Sequence, residues 1–141
     1  MATDTEKMMN DYVAAWNAHD AERILSLCTD DVVFEEVPMG KVFRGNKEAK
    51  DFISSTFVNF PDFKIELKSG FNAGDWGAGE WVMSATFAHS STPVMTATGK
   101  RFSVPGASII EFRKGKISRE SMYWNLAAFL QQVGLMPGPP K

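Results

Sequence analysis

From Asp4 to Ala18 the apolar residues recur at helical spacing: Met8, Tyr12 and Trp16 form an i, i+4, i+8 stripe, with Met9 and Val13 beside it. Asp4 and Glu6 suit the positive end of such a helix. Asp20 suits the cap of a second, shorter helix, "AERILSLC", because its carboxylate accepts from free backbone N–H groups. "DVVFEEV" then reads as a strand, stopped by "PMG". A third helix is predicted from about Lys47 to Asn59, with Ala49, Phe52, Ile53 and Phe57 on one face and Pro61 just beyond its end. After it the texture changes to strands: "DFKIEL", "GEWVMSATFAHS", "KRFSVPGASIIEF" and "KISRESMYW", parted by turns such as "GDWGAG" and "RKGK". "LAAFLQQVGL" closes the pattern as a helix.

Segregated helices and strands predict an α+β domain, its helices against one face of a curved antiparallel sheet. Trp81, Met83, Ala85 and Phe87 share one face of their strand, and Glu80, Ser84 and Thr86 the other. The next strands alternate less cleanly: Ser108, Ile110 and Phe112 oppose Ala107, Ile109, Glu111 and Arg113, while Met122 and Trp124 oppose Ile117 and Tyr123. Apolar groups on both faces imply that the second face is also covered, and a homodimer packed sheet to sheet is the expected cover.

With 141 residues the chain is expected to form one domain, 1–141, with a core of about 4–135 and a flexible Pro-rich tail over 136–141. Its net charge of −2 is spread without basic runs, so neither nucleic acid nor a membrane surface is an expected partner. The start "MATDTEKMMNDY" has no apolar core of a leader, and a cytoplasmic protein is expected. Eleven Phe, four Trp and two Tyr supply a core, and would equally line a concave pocket. Cys28, the one cysteine, cannot form an internal disulfide; it falls in an apolar helical stretch and reads as a small buried hydrophobe. His19 and His89 lack ligand-spaced partners, so no metal is expected, and no other cofactor is.

"YVAAWNAHDAERILSLCTDDVVFEEVPMGKVFRG" resembles the opening of SnoaL-like polyketide cyclases and of their relatives in the nuclear transport factor 2-like superfamily, which includes ketosteroid isomerase. "GKISRESMYWNLAAFLQQVGL" is similar to the ending of the same family. The likeness runs from about Met8 to Leu135. It implies a cone-shaped curved antiparallel sheet wrapped around N-terminal helices, a cystatin-like half barrel, with a pocket between helices and sheet and frequent dimerisation. It also implies positions for chemistry. Where the cyclases carry an acid/base carboxylate, this chain has Tyr123, Trp124 and Asn125. Where relatives carry Gly-Thr-His, Ala85, Thr86 and Phe87 stand, and Val37 occupies the place of the isomerases' general-base Asp before Pro38.

The remaining candidates each have two readings. Asn125 either caps the helix starting at Leu126 or donates to a ligand from the pocket wall. Glu35 and Glu36 must diverge; Glu36 is a solvated strand end or, facing the pocket with Phe34, a carboxyl raised by burial into a general base. Glu111 points inside or pairs across strands with Arg119 or Arg113. Tyr12, Trp16, Phe34, Phe52, Trp81, Met83, Phe87, Tyr123 and Trp124 are either core or ligand-binding wall, and simple alternation admits only one of Tyr123 and Trp124. "SSTPVMTATGKRF" reads as a loop at the pocket rim.

The leading expectation is a dimeric cone that binds a small hydrophobic or polycyclic molecule in an aromatic pocket without the acid/base step, Asn125 replacing the carboxylate. A cyclase or isomerase with its base relocated to Glu36, and a non-catalytic interaction module with a collapsed or polar-plugged interior, are the alternatives.

Overall fold

The computed structural model describes residues 4–138, and the side chains of residues 6–138. Asp4, expected to favour the first helix's positive end, and residues 139–141 of the expected tail lie outside the described side chains or residues. Helix α1 spans Asp4–Asn17, α2 Ala21–Ser26, α3 Gly45–Asn59 and α4 Leu126–Gln132. The strands are β1 Cys28–Glu36, β2 Lys41–Arg44, β3 Lys64–Ala73, β4 Trp76–Thr86, β5 Arg101–Arg113 and β6 Lys116–Trp124. They form one six-stranded sheet in the order β2-β1-β6-β5-β4-β3.

The helices begin and end where local chemistry dictates. His19 adopts a left-handed φ of 55°, and its amide donates to the Trp16 carbonyl, closing α1. The Asp20 carboxylate then accepts from the Arg23 amide at 3.0 Å and caps α2. Trp16 of α1 sits among Phe52 and Phe57 of α3 and Phe63, so the two long helices meet through edge-on and tilted aromatic contacts. Ile24, Val32, Phe34, Ala49, Ile53, Val104 and Ile117 complete a fully buried core between helices and sheet.

The sheet is mixed, not antiparallel throughout. β1 and β6 run parallel, with Phe34 beside Glu120 and Glu36 beside Met122. The remaining pairs are antiparallel. Four further expectations need correction. Cys28 begins β1 instead of ending a helix; it is buried, its thiol donates to the Ile24 carbonyl, and burial pushes its pKa up to about 12, so it is inert packing. The stretch after "PMG", for which no element is expected, forms the short edge strand β2. In β6 the pairing skips Ser118, since Glu111 faces Arg119 and Phe112 faces Ile117. That extra residue puts Ile117 on the same face as Met122 and Trp124, so the broken alternation in β6 is a bulge and not a second apolar face. Lastly, Glu111 has no cross-strand ion pair: Arg113 pairs with Asp31, and Arg119 with Glu35 at 2.9 Å.

The outer face of the sheet nonetheless carries apolar groups. Phe71, Trp76, Ile109 and Tyr123 are about half exposed or more there, in adjacent rows of β3, β4, β5 and β6.

Candidate functional site

Between α1, α3, α4 and the inner sheet face lies a cavity of about 380 Å³. It is not collapsed, contrary to what a pure interaction module would show, and its size falls within the ~300–1,000 Å³ typical of small-molecule pockets. Trp16, Phe52, Phe60, Trp81, Met83, Phe87, Met122, Trp124 and Phe129 make most of the wall apolar. Gly106 lets one ring reach its place: a Cβ there would lie 2.3 Å from the Trp81 indole.

Polar groups converge at the inner end. The Tyr12 hydroxyl donates to Glu120 Oε1 at 2.6 Å, and Ser108 Oγ donates to Glu120 Oε2 at 2.7 Å. Trp81 Nε1 donates in turn to Ser108 Oγ at 3.0 Å. Glu120 is only 7% exposed and Ser108 2%. Burial pushes the Glu120 carboxyl above the ordinary range, while the donors Tyr12 and Ser108 oppose that shift. Tyr12 is held well above its ordinary value, first by burial and then by the neighbouring Glu120 charge, so it stays a donor.

Glu36 opens into the same cavity from the end of β1. Burial raises its carboxyl to about 7, with Lys41 pulling weakly the other way. Its oxygens have no hydrogen-bond partner among the described residues. Because β1 and β6 are parallel neighbours, Glu36 and Glu120 share a face two residues apart, which places their Cα atoms about 8 Å from each other. Glu35 points the opposite way, to Arg119 and Ser121.

Of the residues singled out in the sequence, Tyr12, Trp16, Phe52, Met83, Phe87 and Trp124 line the cavity together with Glu36. Three do not. Phe34 is wholly buried behind Phe52, 5.8 Å between ring centroids. Tyr123 is exposed on the outer face. Asn125 is exposed too, and its side-chain oxygen accepts from the Ala128 amide at 3.0 Å: it is the cap of α4. The leading expectation, an aromatic pocket without an acid/base group, needs correction: the carboxyls of Glu36 and Glu120 both line it. Sequence reasoning passed over Glu120, Ser108 and Trp81's polar role. The available sign was the alternation Glu120–Met122–Trp124, which puts a carboxylate in line with two wall residues.

The rim is formed in part by the loop 87–100, whose Ser90, Ser91, Thr92 and Met95 face the cavity. Its base is clamped by Asp62, which accepts from the Thr86 amide, the Thr86 hydroxyl and Arg101. Among the described residues no group of three or more His, Cys, Asp or Glu is placed to hold a metal ion. Nor is any helix long and apolar enough to cross a membrane.

The SnoaL-like domain model matches residues 9–120. No curated protein matches the chain. Among solved structures, AclR of Streptomyces galilaeus, a candidate hydroxylase, is 23% identical with a TM-score of 0.81, covering 97% of this chain and 89% of that one. A candidate polyketide cyclase of Pseudomonas putida KT2440 is 24% identical (TM-score 0.80, 94% and 98% covered). A protein of Catenulispora acidiphila with a ketosteroid isomerase-like fold, solved in complex with trimethylamine, is 20% identical (TM-score 0.79, 95% and 98% covered). The cavity between helices and a curved sheet is thus built on a shared fold, and the chain belongs to the SnoaL-like domain family.

Proposed function

We propose that the protein is an acid–base enzyme acting on a small, largely apolar molecule, with Glu36 as the proton carrier. One observation carries this reading: a carboxyl with no hydrogen-bond partner among the described residues faces an aromatic cavity and is raised to about 7. A group poised near neutrality both accepts and returns a proton, the condition under which general acid–base catalysis supplies about 10²–10⁴-fold. Wall residues Tyr12, Trp16, Phe52, Met83, Phe87 and Trp124 would hold the ligand. The descriptions of the relatives as a candidate cyclase and a candidate hydroxylase support a small-molecule substrate. The working form would be a homodimer joined through the outer sheet face, supported by the exposed Phe71, Trp76, Ile109 and Tyr123.

The test is the ring opening of 5-nitrobenzisoxazole, a reaction begun by loss of one carbon-bound proton to a base. We expect saturable acceleration that rises with pH around a midpoint near 7 and is lost in Glu36→Gln. A rate unaffected by that substitution would rule out Glu36 as the proton carrier.

A further inference from the structure

We propose that the ligand of the cavity presents a protonated amine to the Glu120 carboxylate. This rests on reading the cavity as a small-molecule site, and names the class of molecule it takes.

At the inner end the available donors are the Tyr12 hydroxyl, the Ser108 hydroxyl and the Trp81 indole N–H. Each has one hydrogen, and each is already engaged: two on Glu120, the third on Ser108. A ligand carbonyl entering there would meet no free N–H or O–H from these three residues. Glu120 is in the opposite position. Its two oxygens offer about four acceptor directions, of which the protein uses two. With Glu120 ionised, the inner end lacks a donor, and the ligand must bring it.

Charge narrows the class further. Among the described residues no Lys, Arg or His forms an ion pair with Glu120, whose hydrogen-bond partners are Tyr12 and Ser108. Lys41 stands at the exposed rim, where it acts on Glu36. The other rim carboxylate, Asp51, is exposed. Burial favours the neutral carboxyl while the cavity is empty, and an ammonium entering beside Glu120 stabilises its ionised form through a charge-assisted hydrogen bond. Trp16, Trp81 and Tyr12 line the same cavity, and aromatic rings attract ammonium groups. A neutral donor such as an alcohol would satisfy only the hydrogen bond. A protonated amine on an apolar skeleton satisfies the hydrogen bond, the charge and the rings together.

Three near-isosteric probes separate the possibilities: 1-(dimethylaminomethyl)naphthalene, 1-isobutylnaphthalene and 1-naphthylacetone, titrated by fluorescence into the full-length protein near neutral pH. The amine is expected to bind at least about tenfold tighter than the hydrocarbon and the ketone. Glu120→Gln should erase that margin and leave hydrocarbon affinity unchanged. Equal binding of amine and hydrocarbon, tightest binding of the ketone, or a margin that survives Glu120→Gln would overturn the inference while the small-molecule site stands. Binding of none of the three would overturn both. Should Glu120→Gln fold poorly, the three affinities of the unaltered protein still decide the class.

Discussion

The Tyr12 hydroxyl meets the Glu120 carboxylate at 2.6 Å, joining the first helix to the last strand across 108 residues of sequence. Both groups are buried, so the bond is structural as well as electrostatic. Tyr12→Phe leaves the ring in the core and removes one donor from a buried carboxyl. The expected loss is about 1–3 kcal/mol in urea unfolding, with Glu120 pushed still further up in a carboxyl NMR titration. An unchanged midpoint would show that the bond contributes nothing net.

Glu36 makes stability depend on pH in a defined direction. Its carboxyl is raised from 4.5 to about 7 in the folded chain, so folding takes up a proton between those values. The neutral form is tolerated and the charged form is penalised. Stability is therefore fully present below about 4.5 and lost as pH rises through about 7, by up to about 3 kcal/mol. Glu120 is raised as well and acts with the same sign. Unfolding of Glu36→Gln across this window should show a shallower fall, and the variant should be the more stable protein above pH 7.

Gly106→Ala tests the seat of Trp81. The added methyl would lie 2.3 Å and 2.5 Å from two indole carbons and 2.8 Å from the Tyr123 carbonyl oxygen, with β5 held on both sides. Overpacking of this kind costs about 1–3 kcal/mol. The indole must also leave Ser108, so near-ultraviolet circular dichroism should change together with the thermal midpoint.

The outer face gives a prediction about assembly. Ile109 lies 43% exposed with Tyr123 and Phe71 in neighbouring rows, and Ile109→Arg places a charge amid them. If two copies join there, light scattering will show a dimer for the native chain and a monomer for the variant.

How much of this was legible in the residues follows from the length and regularity of each pattern. The stripe Met8–Tyr12–Trp16 and the alternation Trp81–Met83–Ala85–Phe87 run long enough to fix a helix and a strand, and both place their residues on the observed inner face. β2, four residues long, has no room for a period to declare itself. Cys28 lies where α2 passes into β1 after one residue, so its apolar neighbours fit either element. Glu120 was hidden by the Ser118 bulge, which put Ile117 out of step with Met122 and Trp124 and blurred which face was inner. Asn125 drew attention as a polar residue at a strand–helix seam, and that is also the commonest place for a cap. Whether a carboxyl faces a cavity depends on one bulge and one parallel pairing, neither of which short-range periodicity records.

That parallel pairing has a consequence for how the protein comes into being. Glu36 and Glu120 lie on opposite sides of the β1–β6 seam, and the seam needs a strand from each end of the chain. During synthesis on the ribosome β1 has its local partner β2 early, but β6, its other neighbour, exists only when nearly the whole polypeptide has emerged. Such distant closure is slow compared with local helix formation. The two acids are therefore brought face to face only in the last stage of maturation, and a chain cut short before Lys116 would carry one of them and never the pair.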